Sequence, residues 1–174
     1  MSNIYNLNGD TGGMLYIYDL NGDTIAIEDL SDKCLNDEAS DLGCRPHARP
    51  HMVRPNKSTL PHKYVIIPFF DSDSGLNIID VDSRKIVSCF DTTTYGSGLV
   101  HDAIWASDDS YFIAVDLAGF LHKFSANIET ETFAYINSFD MSSYTAELGT
   151  EVVKPISAEI TSNGLVYVTM SKGG

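Results

Sequence analysis

Positive charge is scarce in this chain. Eleven Lys and Arg stand against 24 Asp and Glu over 174 residues, for a formal net charge of −13. Nucleic-acid binding needs a continuous basic footprint, so DNA and RNA are not expected partners. No run of apolar residues is long enough to cross a bilayer. The opening MSNIYNLNGD lacks the basic and apolar regions of a signal peptide. The expectation is a soluble, cytoplasmic protein without membrane contact. Cysteine is sparse too: Cys34, Cys44 and Cys89 make an odd count, which predicts three reduced thiols rather than a disulfide framework. The spacing of Cys34, Cys44, His47 and His51, C-x9-C-x2-H-x3-H, is looser than any compact zinc site. The nucleophile elbow G-x-S-x-G, the zinc motif H-E-x-x-H and both glycine-rich phosphate loops are absent, and no segment sustains a helical period.

Strands and turns fill the chain instead. A hydrophobic fraction of 43% over this length supports one domain with a real core. From Arg49 to Asp91 the chain predicts a short strand opened by Pro50-His51, then a continuous apolar strand Tyr64–Phe70. A Gly75-led strand Leu76–Val81, a turn at Asp82-Ser83-Arg84 and a last strand Lys85–Phe90 follow. Four consecutive strands joined by turns make an antiparallel meander. The pattern returns as Val100–Trp105, Tyr111–Leu117, Gly119–Ser125 and Thr132–Phe139, and begins again at Pro155–Ile160 and Leu165–Met170. A repeat of about 40–50 residues with four strands per unit is the mark of propeller blades.

The first 30 residues hold an echo, IYNLNGDT at 4–11 against IYDLNGDT at 17–24. Asn21-Gly22 between apolar runs predicts a hairpin of Met14–Leu20 with Thr24–Asp29 through a type I′ turn. That hairpin resembles the last two strands of the second unit. The expected fold class is therefore all-β: about three blades' worth of four-stranded propeller meanders in one half-propeller domain over 1–174. Units lie at 49–91 and 100–140, with 1–30 and 155–174 as the two halves of a composite blade. Two chains would then close a six-bladed ring, so a homodimer is expected.

Pro-His-x-Val at 50–53, a following strand, and a glycine-led strand ending in Asp resemble the YVTN/lactonase-like repeat propellers within the WD-repeat-like superfamily. Tyr64-Val65-Ile66-Ile67 and Tyr167-Val168-Thr169-Met170 approximate the string that names them. The resemblance implies a propeller whose blade-opening strands line a central channel, and it leaves open a metal-dependent, lactonase-like hydrolase or oxidoreductase.

Candidate site residues follow from the repeat. His51 and His101 open equivalent strands, with Ser157 matched to them in the next unit, and all three should face the channel. The basic window from Arg45 to Lys63 contains no acid, so Arg49 and Arg54 are expected to attract a small anion there. No motif demands a cofactor. A divalent metal held by His51 and His101 belongs to the alternative reading. Asp102 beside His101 could orient a base, but neighbours on a strand point to opposite faces. The preferred function is a non-enzymatic propeller scaffold that binds a small ligand or a protein partner on its channel face.

Overall fold

The computed structural model describes residues 4–8, 14–18, 21–29, 54–59, 61–69, 75–95, 100–141 and 153–172. Thirteen strands among them form four antiparallel sheets. The first sheet has the order β1 (Ile4–Asn8), β2 (Met14–Tyr18), β3 (Thr24–Asp29). The second contains β4 (Arg54–Pro55), β5 (Tyr64–Phe69), β6 (Gly75–Asp80) and β7 (Lys85–Asp91). The third contains β8 (Val100–Trp105), β9 (Tyr111–Asp116), β10 (Phe120–Asn127) and β11 (Thr132–Asp140). The fourth pairs β12 (Val153–Ile160) with β13 (Val166–Lys172). Each strand pairs with its sequence neighbour, so the two complete sheets are four-stranded meanders of the expected all-β, half-propeller type.

Strand parity organises the packing. Successive residues of a strand face opposite ways, so one sheet can serve two neighbours. In β5, Val65 and Ile67 pack with Ile17 and Ala26 of the first sheet, while Tyr64 and Ile66 join the cluster built with Ala103, Trp105, Phe112 and Phe124 of the third. The third sheet repeats the device: Ile104, Ile113 and Val115 face away from that cluster and meet Ala158 and Ile160 of β12. The near-continuous apolar strands β5 and β9 are thus buried on both faces. Each fully buried aliphatic contributes about 1.5–3 kcal/mol, which makes these inter-sheet clusters the main source of stability.

The turns between the third and fourth strands of a unit reuse one solution. Asp80 Oδ1 accepts from Ser83 N at 2.7 Å, and Asn127 Oδ1 accepts from Glu129 N at 3.0 Å and Thr130 N at 3.1 Å. The residue closing each turn is left-handed, Arg84 at φ 58° and Glu131 at φ 55°. Side-chain acceptance of backbone donors offsets the cost of that conformation.

Three expectations are corrected. The β2–β3 hairpin forms, but Tyr18 pairs with Thr24, leaving five residues in the connection, and among the described ones only Gly22 (φ 90°) is left-handed. A type I′ turn needs a two-residue loop, so this is a different turn. Secondly, the echo at 4–8 is itself a strand: β1 pairs with β2 from Ile4↔Tyr18 to Asn8↔Met14 and occupies the β2 edge that a composite blade would have used. Thirdly, Cys89 is disulfide-bonded, with its partner outside the described residues. An odd count permits one pair and one thiol, and the pairing removes the thiol argument for a reducing compartment. Titration of denatured protein is expected to find one thiol without reductant and all three with it; three in both conditions would contradict the bond. Among the described residues no helix is long and apolar enough to cross a membrane.

Candidate functional site

The strands that open the second, third and fourth sheets, β4, β8 and β12, are joined by a polar network. Its centre is Asp102, which is fully buried. Arg54 of β4 grips the carboxylate with both arms, Nε to Oδ1 and Nη2 to Oδ2, each at 2.8 Å. Ser157 of β12 donates its hydroxyl to Oδ2 at 2.6 Å, and the backbone N–H of Ala103 donates to Oδ1 at 2.9 Å. One carboxylate therefore joins three sheets. The bond to Asp102, ahead of the opposing effect of burial, raises the Arg54 pKa above the ordinary arginine value. The carbonyl of Arg54 in turn accepts from Trp105 Nε1 at 3.0 Å, which ties the network to the core.

His101 addresses another partner. Its Nδ1 lies 2.6 Å from the carbonyl oxygen of Ile156, so Nδ1 is the protonated nitrogen that donates. His101 and Asp102 point to different groups. The register also revises the expected equivalence of His101 and Ser157. Both β8 and β12 bulge: Val100↔Asp116 is followed by Asp102↔Val115, and Pro155↔Met170 by Ser157↔Thr169. His101 and Ile156 are the extra residues, so Ser157 corresponds to Asp102. Arg54, His101 and Ser157 are brought to this region; Arg49 and His51 lie outside the described residues.

A second lock sits at the tips of the same strands. Asp109, buried and left-handed at φ 57°, accepts from Asn56 Nδ2 at 2.6 Å, Lys57 N at 2.7 Å, Ser58 N at 2.8 Å and Ser58 Oγ at 2.6 Å. Asn56 completes its own valences, its Oδ1 accepting from Lys63 N and Tyr64 N at 2.9 Å and its Nδ2 donating to Thr59 Oγ1 at 2.7 Å. In the third sheet, buried His122 places Nε2 3.2 Å from Asp116 Oδ2 and Nδ1 2.6 Å from Ser138 Oγ, which is 2.7 Å from the Tyr135 hydroxyl. The order carboxylate, imidazole, hydroxyl imitates a hydrolytic triad, but the imidazole is wholly enclosed. It lies among aromatic rings, with Phe120 at 6.0 Å and Tyr95 at 6.3 Å between centroids, and cross-links three strands of one sheet.

On the rim, Lys63 and Tyr64 share Glu131: Nζ donates to Oε1 at 3.2 Å and the phenol at 3.0 Å. Burial, partly opposed by Lys63, pushes the Tyr64 pKa above its usual value. Among the described residues no group of three or more His, Cys, Asp or Glu could hold a metal ion. Asp102 and Asp109 tie neighbouring sheets together, and His122 ties strands within one.

Stacked four-stranded meanders with polar ties between their opening strands define a β-propeller fold, present here as successive blades. No family model and no curated protein sequence matches the chain. Solved structures do. The complex of KlAtg21 with the coiled-coil of AgAtg16 contains a chain similar over 97% of this one, with a TM-score of 0.61 and 9% identity. A protein assigned as a 6-phosphogluconolactonase from Bacteroides fragilis is similar over 79%, with a TM-score of 0.57 and 14% identity. This chain spans 47% and 35% of those two chains, about half and a third of their length. At such identities the likeness concerns the fold.

Proposed function

We propose that this chain is a non-enzymatic propeller scaffold, working as a homodimer, that holds a small anion or a protein partner at the strands lining its channel. The observation that carries the reading is the convergence of Arg54, Asp102 and Ser157 from three opening strands. Asp102 is buried and has Arg54, Ser157 and the Ala103 N–H as donors, which supports a positioning role for the network. Arg54 is about one third exposed, and it belongs to the basic window of an otherwise acidic sequence that also contains Arg49 and His51. The coiled-coil bound in the complex containing KlAtg21 supports a protein partner as the alternative to an anion.

A metal-dependent, lactonase-like activity with His51 and His101 as ligands is the second reading. Likeness to the Bacteroides fragilis protein supports its lactonase-like part, and the His101 tautomer its metal part, since a Nδ1–H held by a carbonyl is a common support of a metal-binding imidazole. One thermal-shift experiment separates the two. Sulfate at about ten times its Kd should add about 1.4 kcal/mol and raise Tm by about 3–6 °C, with the Arg49→Ala variant unresponsive. No response to sulfate or phosphate, together with a zinc-dependent rise lost in His101→Ala, would replace the scaffold by the metal site.

A further inference from the structure

Beside β13 runs an apolar groove of about 460 Å³, lined by Ile113, Leu121, Phe139 and Met141 on one side and Val166 and Val168 on the other, with Lys123 and Asn137 among them. It exists because the two faces of the third sheet are covered unequally. On one face the second sheet spans the whole meander, with Leu76 and Ile78 of β6 and Phe90 of β7 packed into a cluster that reaches Phe124 and Tyr135 of β10 and β11. On the other face β12 and β13 reach Ile104, Ile113 and Val115, with Leu121 at the margin. Phe139 of β11 is 52% exposed, and the long edge of β13 has no strand beside it among the described residues.

The first sheet has the complementary property. Ile17 and Ala26 bury one of its faces on the second sheet. The opposite face of β2 carries Tyr16 and Tyr18, stacked with centroids 6.3 Å apart, and Ile25 of β3 is half exposed. We propose that the N-terminal sheet of a second copy of this chain seats on the groove, its Tyr16–Tyr18 face on Leu121 and Phe139 and its β1 edge along β13. Three features point to a second copy. The groove continues an established inter-sheet core, so its natural occupant is another sheet of the same stack. The rings suit Lys123, whose ammonium already sits 4.3 Å from the centre of the Tyr111 ring. The arrangement is isologous in effect, since each copy offers both sheet and groove and two such contacts close the assembly. Because β1 occupies the β2 edge, it is β1 and not β2 that adjoins β13.

This inference rests on the homodimer reading, and one set of light-scattering measurements after size exclusion tests both. The unsubstituted 174-residue chain should elute at about twice 19.1 kDa at micromolar concentration. Phe139→Glu and Tyr16→Glu, each checked for fold by circular dichroism, should each raise the dimer Kd by at least about 100-fold, because either puts a charge in an apolar contact. A mixture of the two variants retains one intact contact and should dimerise more tightly than either alone. An unsubstituted monomer would overturn the dimer reading. An unsubstituted dimer indifferent to both substitutions would keep the dimer and overturn this surface.

Discussion

Replacing Asp102 by alanine is expected to destabilise the fold by about 3–5 kcal/mol, the cost of removing one partner from a buried charge pair. Three donors lose their acceptor at once: the Arg54 guanidinium, the Ser157 hydroxyl and the Ala103 N–H. The guanidinium is partly in water and can rehydrate, which draws the loss toward the lower figure. Asp102→Asn keeps the shape but not the charge and should recover part of the loss. Urea unfolding checks this through a lower midpoint at unchanged slope. A loss below about 1 kcal/mol for Asp102→Ala would mean that the three sheets are spaced by apolar packing alone.

Asp109→Ala should cost about 3 kcal/mol for two separable reasons. The lost acceptor leaves the Asn56 amide, two backbone N–H groups and the Ser58 hydroxyl without their partner, at about 1–3 kcal/mol for the buried share. Alanine must also adopt φ 57°, which costs about 1–2 kcal/mol for a residue without a local hydrogen bond. Asp109→Gly removes the second cost and should be milder by about 1 kcal/mol. Equal losses for the two variants would assign the whole effect to the acceptor. The fourth sheet contains the natural control, since Gly164, at φ 82°, closes the matching turn between β12 and β13.

How far the sequence reveals this molecule depends on the range of the interaction concerned. Strand positions were legible because apolar runs and turn residues are local: Val100–Trp105 is read directly as β8, and Asp82-Ser83-Arg84 as the turn after β6. Register was not, because a β-bulge adds a residue without leaving a mark. Alignment on Pro-His placed Ser157 beside His101. The matching hairpin bonds, Asn56 N to Tyr64 O, Ala106 N to Tyr111 O and Thr161 N to Leu165 O, all at 2.9 Å, place it beside Asp102. A slip of one residue exchanges the faces of a strand and hence the partners of every side chain on it. Asp109 was invisible for a different reason, as its donors come from the turn of the preceding unit. Of the anion candidates, Arg54 was legible only as part of a basic window, and its carboxylate partner Asp102 was weighed only as an aid to His101.

The alternation of faces along β5 and β9 has a consequence for how this chain comes apart. Because the apolar clusters join each described sheet to the one before and the one after, with only polar bridges such as Lys57 to Glu159 seen to reach further among the described residues, a single chain behaves as a short linear array of coupled units. The second and third sheets each have two such interfaces and share the largest one. Within a single chain the outer sheets have one apiece and can open while the central pair holds, whereas the proposed dimer would give each a second. Fraying from either end is thus cheaper than breaking the middle, and a mutation's reach is set by how many interfaces separate it from the Trp105 core.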